Sequence, residues 1–200
     1  MKNKTIEYFL KNFKRYNSYL QDNIREEAYK QYNILVNKYK DDPKKLKKQT
    51  LNNMFPVISV YKSLLINNIE QKQAFFLVDK INSQKKLEEA KSTSKILHMF
   101  GLYKLYPSIF KKVTLSSFSS DIGFDPEFIV INKKQCKFNM KKCIFCERCK
   151  QENCFELTPV FCHTDIVFNT NLHPNIIWHR DYTLSEDGPY CDFDVKLKEE

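Results

Sequence analysis

"EFIVINKKQCKFNM", residues 127–140, decides the fold. "EFIVI" and "QCKFNM" alternate apolar and polar residues with the two-residue period of a half-buried strand, and "NKK" between them suits a hairpin loop. Downstream, "KKCIFCERCKQE" favours a short helix. "IIWHRDYTL" and "YCDFDVKLK" again read as strands, joined by the turn residues "SEDGP". In the last strand Cys191, Phe193, Val195 and Leu197 share one face, and Tyr190, Asp192, Asp194 and Lys196 share the other. Upstream, residues 1–101 read as helices. The expected fold is therefore α+β: an N-terminal helical half packed on a C-terminal antiparallel sheet with short helices. With no repeat and no flexible linker, residues 1–200 are expected to form a single domain, with halves at 1–101 and 102–200.

The helical half has readable boundaries. "YLQDNIREEAYKQYNILVNKY" sets Leu20, Ile24, Ala28, Leu35 and Tyr39 near one face. In "DDPKKLKKQT" Asp42 is the expected N-cap, with Pro43 in the first turn. Pro56 starts or kinks the next helix, which stops at Asn67-Asn68. One helix is expected through "EQKQAFFLVDKI" and another from near Ser83 to Met99, with Leu87, Ala90, Ser94 and Leu97 inward and Gly101 as its stop.

Composition narrows the function classes. The chain has 200 residues, 42% hydrophobic and 14% aromatic, enough for a real core. Its three glycines, Gly101, Gly123 and Gly188, cannot build a phosphate-binding glycine loop. The net charge is +9, which attracts polyanions. Yet the lysines are spread over polar helix faces beside acids, as with Lys85 and Glu89, and only four arginines occur. Bidentate recognition of phosphates and bases prefers arginine, so no nucleic-acid partner is expected. No window approaches a membrane span, and "MKNKTIEYFLKNFKRYN" lacks the uncharged apolar stretch of a secretory signal. A cytoplasmic location with reduced cysteines is the expectation.

"KKCIFCERCKQENC", residues 141–154, holds four of the seven cysteines. Cys143, Cys146 and Cys149 fall three apart, a spacing met in metal sites. On a regular helix, however, three such thiols spread over an arc of about 120° and reach one ion poorly. The fourth spacing departs from the ferredoxin pattern, and the second C-x2-C pair of a zinc ribbon is missing. If zinc or another metal ion is held, Cys143, Cys146, Cys149 and Cys162 are the candidate ligands. The alternative is a helix whose inner cysteines act as small apolar residues.

Further residues carry a resemblance. Cys143 with Phe145, then "FELTPVFCHTD", "HPNIIWHRDYTL" and the terminal "GPYCDF", together with "MFPVISVYKSL" in the helical half, resemble the L-2-amino-thiazoline-4-carboxylic acid hydrolase family. The resemblance covers roughly residues 43–195, and its specific part is the C-terminal run. It implies hydrolytic opening of a small sulfur-containing ring, on a bacterial route toward cysteine. The matching positions are Cys143, Glu156, Cys162, Asp165, Arg180, Gly188, Cys191, Asp192 and Phe193. Cys149 and Cys154 match only some variants of the pattern.

The implied chemistry assigns roles. Hydrolysis of a cyclic amidine needs a nucleophile at the carbon between nitrogen and sulfur, proton delivery to the leaving atom, and a cation for the substrate carboxylate. Cys162 is the first thiol candidate, with a thiol pKa lowered if a helix begins there. His163, beside it, is a candidate substrate contact. Asp165 is the candidate general base, or an N-cap for "IVFN". Cys143 and Cys191 are candidates to meet Cys162 in one pocket. Arg180 is the candidate carboxylate clamp, or a cross-strand ion-pair partner, and Asp192 a candidate ligand contact. Two functions compete: a hydrolase of a small cyclic amidine or sulfur heterocycle, and a non-catalytic sensor binding a small ligand or a metal (Zn or Fe–S). The expected partner is a small-molecule substrate, and a homo-oligomer is left open.

Overall fold

The computed structural model describes residues 3–16 and 20–199, with side chains from residue 23 onward in the second stretch. The chain forms two compact units, residues 1–82 and 83–200.

The first unit is helical. α1 (Lys4–Phe13) starts at Asn3, whose side chain accepts from the Thr5 and Ile6 amides at 2.9 and 3.2 Å. It buries Ile6, Phe9, Leu10 and Phe13. α2 (Leu20–Lys38) buries Ile24, Ala28 and Leu35, with Tyr39 buried just beyond it, as its periodicity predicts; the Leu20 side chain lies outside the described residues. α3 (Lys44–Gln49) is capped one residue later than expected: Pro43, not Asp42, is the cap, because its extended backbone presents the first helical carbonyl, to Lys47 N at 2.9 Å.

A π-helical turn, Thr50–Met54, then leads into α4 (Phe55–Ile66). Pro56 explains it. With no N–H, Pro56 leaves carbonyls of the preceding turn without their helical donor. Side chains replace it: Thr5 Oγ1 donates to the Asn52 carbonyl at 3.1 Å, and the Tyr32 hydroxyl to the Leu51 carbonyl at 3.1 Å. α4 is buried from Phe55 through Tyr61, so its serines turn their hydroxyls onto their own helix, Ser59 to Phe55 O and Ser63 to Val60 O. It ends at Asn67, followed by left-handed Asn68, where expected.

α5 (Gln71–His98) is one 28-residue helix. The break expected near Ser83 is absent, because no glycine or proline interrupts residues 71–98 and a lone serine does not force a start. Its second part, in the second unit, buries Ala90 and Leu97 and half-buries Leu87 and Ser94. Left-handed Phe100 and Gly101 end it. α6 (Tyr106–Ser117), absent from the sequence reading, opens on Pro107.

The sheet has the order β1-β2-β4-β3 and is antiparallel throughout. β1 (Pro126–Ile131) and β2 (Gln135–Met140) form the expected hairpin, with the Asn132 side chain accepting from the Lys134 and Gln135 amides. α7 (Ile144–Gln151) and α8 (Thr158–Thr170) intervene before β3 (Ile176–His179) and β4 (Cys191–Leu197). β3 stops five residues short of Leu184. The Asp192 carboxylate captures the Asp181 and Tyr182 amides, at 3.0 and 2.6 Å, and so removes them from the ladder. α6 packs on β2 and β4, and α8 on β3. Tyr106, Leu172, Ile176 and Val195 join Ala90 and Leu97 in the core of this unit. The fold is α+β.

Candidate active site

Four of the residues singled out from sequence converge in the second unit, around Arg180. The strand β3 delivers Arg180 just past its end, and its side chain is only 2% exposed. Its guanidinium donates to the Cys162 carbonyl at 2.7 Å and to Asp165 Oδ2 at 3.2 Å. It also lies 5.4 Å from the Phe193 ring centroid and 5.8 Å from that of Trp178. A buried guanidinium is tolerated here because it meets a carboxylate, a carbonyl and two aromatic rings.

Asp165 lies within α8, two turns from its start, and is not an N-cap. Two aspects of its burial differ. Its side chain is 45% accessible, yet surrounding protein pushes its carboxyl above the ordinary value, with the cations Arg180 and Lys86 opposing. Both hold for a carboxylate surrounded by protein on most sides whose oxygens water still reaches. Nearby, the Tyr106 hydroxyl donates to Asn169 Oδ1 at 2.6 Å, fixing the same face of α8.

Cys162 also lies inside α8, so the expected helix-terminus activation does not arise. Burial instead pushes its thiol up to about 12, with Ser185 opposing. It is a neutral thiol near pH 7, in hydrogen-bond contact with Ser185 Oγ at 3.3 Å. On the helix His163 projects about 100° away from Cys162, and it is half-buried. Cys191, 4% exposed on β4, accepts the Leu184 amide at 3.2 Å, and burial pushes its thiol up to about 11. It lies within electrostatic reach of Cys143, Asp165 and Arg180. Cys143 is half-buried at the start of α7. The site is thus a guanidinium–carboxylate pair bordered by the protonated thiols of Cys162 and Cys191, with Cys143 in electrostatic reach of Cys191.

Ser185 escaped sequence reasoning because "SEDGP" reads only as a turn. Its place depends on a tight loop. Gly188 N donates to the Thr183 carbonyl at 2.9 Å, and a Cβ on Gly188 would stand 2.7 Å from that oxygen. Thr183 Oγ1 in turn contacts Ser185 Oγ at 3.0 Å and donates to Glu186 at 2.8 Å. Asp192, expected to touch ligand, is occupied by the two backbone amides that bring the chain from Arg180 to this loop. Arg180 pairs with a helix residue rather than across the sheet. Glu156 is exposed.

Among the described residues no three His, Cys, Asp or Glu side chains are grouped so as to hold a metal ion. Cys143, Cys146, Cys149 and Cys162 are thus not gathered into one ligand set. Instead Cys143 contacts Cys146, and Cys149 contacts Cys154. A groove of about 720 Å³ between α6 and the hairpin loop, lined by Lys111, Lys112, Leu115, Ile131 and Lys133, contains none of these residues. Among the described residues no helix is long and apolar enough to cross a membrane.

Fold and site together define an α+β protein with a buried arginine paired to an accessible carboxylate beside buried thiols. The family model for L-2-amino-thiazoline-4-carboxylic acid hydrolase matches residues 71–195, more than half of the chain. The chain belongs to that family, which is named for a hydrolase. No curated protein and no solved structure matches it.

Proposed function

We propose that the protein hydrolyses a small cyclic amidine or related sulfur heterocycle, with L-2-amino-thiazoline-4-carboxylate as the first substrate to test. The observation that carries this reading is Asp165, water-accessible yet raised by its surroundings and held by a buried Arg180. A carboxylate raised above its ordinary value and open to water is a better proton acceptor and can hand the proton back. As water attacks the amidine carbon, Asp165 takes its proton. The ring nitrogen gains the second water proton as its double bond to carbon is lost. The tetrahedral carbon expels the ring sulfur as its oxygen becomes a carbonyl, and Asp165 returns the first proton to the sulfur. One water is consumed, and the ring opens to a free thiol. Arg180 acts as a positioning residue: it fixes Asp165 and, through the Cys162 carbonyl, the turn of α8 that carries it. Protonated Cys162, with its Ser185 contact, serves as a soft wall against the sulfur edge of the ring and not as the attacking group.

The reading is tested by mass-spectrometric detection of the ring-opened product, one water heavier than the substrate. Asp165→Asn should lower kcat/KM about 100-fold or more, while Cys162→Ala should retain measurable turnover. Full turnover by Asp165→Asn, or complete loss in a folded Cys162→Ala protein, would overturn the assignment.

A further inference from the structure

The geometry points to Cys143 and Cys146 as a reversible dithiol–disulfide site that exchanges with small disulfides. Cys143 is the N-cap of α7, an eight-residue helix, and Cys146 is its third residue. A cap and the third helical residue stand on one face, the relation a capping box uses, and within disulfide reach. The two thiols are already in hydrogen-bond contact. The Cys143 sulfur makes no regular capping bond, yet it faces the Phe145 and Cys146 amides, the groups that favour a thiolate at a helix start.

Access singles out this pair. As a residue Cys143 is half-buried against 7% exposure for Cys146, while protein packs densely around the Cys143 thiol, so of the two it is Cys143 that an incoming disulfide meets first and Cys146 that serves as the resolving thiol. Cys149 and Cys154 are in similar contact but are 0% and 2% exposed, closed to any reagent. The Cys146 contact and burial hold the Cys143 thiol well above its ordinary value, so exchange accelerates as pH rises.

The step balances with glutathione disulfide as oxidant. The Cys143 thiolate attacks one of its sulfurs, releasing one glutathione. The Cys146 thiolate then attacks Cys143 Sγ and releases the second. The protein loses two electrons, the glutathione disulfide gains them, and both thiol protons end on glutathione.

Trypsin isolates the pair, because Lys142 and Arg148 bracket "CIFCER", residues 143–148, which has no other cysteine. The native chain is equilibrated with mixtures of glutathione and its disulfide, quenched in acid, alkylated in denaturant and digested. The peptide is expected two hydrogens lighter and unalkylated. At fixed glutathione disulfide, halving glutathione should raise its oxidised-to-reduced ratio about fourfold, the mark of an intramolecular bond. Cys146→Ser should stop at a glutathione adduct on Cys143, with a dependence of about twofold. A peptide alkylated at every ratio, a twofold dependence in the unmodified chain, or Cys143 linked to another cysteine peptide would each overturn the site. These readouts require no hydrolase activity, so they stand or fall apart from the proposed reaction.

Discussion

Arg180→Ala is the most informative single change. It removes three things: the 2.7 Å hydrogen bond to the Cys162 carbonyl, the 3.2 Å ion pair with Asp165, and the stacking on Phe193 and Trp178. A hydrogen bond from a charged donor contributes about 1.5–3 kcal/mol. The ion pair is discounted to about 0.5–1 kcal/mol because Asp165 is 45% accessible and water screens it. Each aromatic contact adds about 0.5–1 kcal/mol. These contributions share one guanidinium and do not add fully, so the expected loss is about 2–4 kcal/mol. Urea unfolding followed by fluorescence measures it locally, since Trp178 is the chain's one tryptophan and stands beside Arg180. The same change acts on the pH profile. Arg180 lowers the Asp165 carboxyl, so its removal lets burial push that group further up. The acid limb of kcat/KM then moves to higher pH. Arg180→Lys should restore part of that displacement but not the forked bonding. A loss below about 0.5 kcal/mol with an unmoved acid limb would refute the argument, since an exposed, idle arginine behaves that way.

Gly188→Ala should cost about 1–3 kcal/mol and lower turnover, because its Cβ meets the Thr183 carbonyl at 2.7 Å and displaces the loop that carries Ser185; an unchanged melting temperature would contradict this. Alkali should destabilise the chain. Cys136 and Cys191 are held near 11 against an ordinary 9.0, so the unfolded chain loses these protons first and stability falls from about pH 9 to 11. At pH 10 these two alone cost about 3 kcal/mol, with Cys143, Cys149 and Cys162 adding to the same loss, and Cys136→Val should remove only its own share, about 1.4 kcal/mol at pH 10, in denaturant midpoints measured across pH. Asp192→Ala should release the Asp181 and Tyr182 amides and raise hydrogen exchange there by an order of magnitude or more; equal protection in both proteins would count against its bracing role.

Local sequence carried the hairpin, because Asn132 both ends β1 and binds the two amides that begin β2. It also carried α7 and the inward face of β4. It did not carry α6, whose anchor is the distant Tyr106–Asn169 bond, nor the unbroken α5, where the serine at 83 offered a start that nothing else supported. At the site, Cys162, Asp165, Arg180, Cys191 and Cys143 were legible as a set. Their chemistry was not. Whether a thiol is activated or silenced depends on burial and on helix position, and Cys162 sits too far into α8 for the helix start to act on it. Ser185 was invisible because its contact with Cys162 spans 23 residues of chain.

The strand-to-helix latch made by Arg180 has a consequence for the order of assembly. Its bonds to Asp165 and Cys162 close loops of only 15 and 18 residues, whereas β2 meets β4 across 59, as at Gln135 and Asp194. Short loops lose less entropy on closure, so the charged pair is set early together with the β3–β4 pairing beside it, where Cys191 is only 7 residues from its Leu184 donor, and the β1–β2 hairpin docks on β4 last. Until it does, Cys136 on β2, which pairs with Val195 and is 1% exposed once docked, is open to oxidant. Refolding yield should therefore depend on reductant during that interval far more than afterwards.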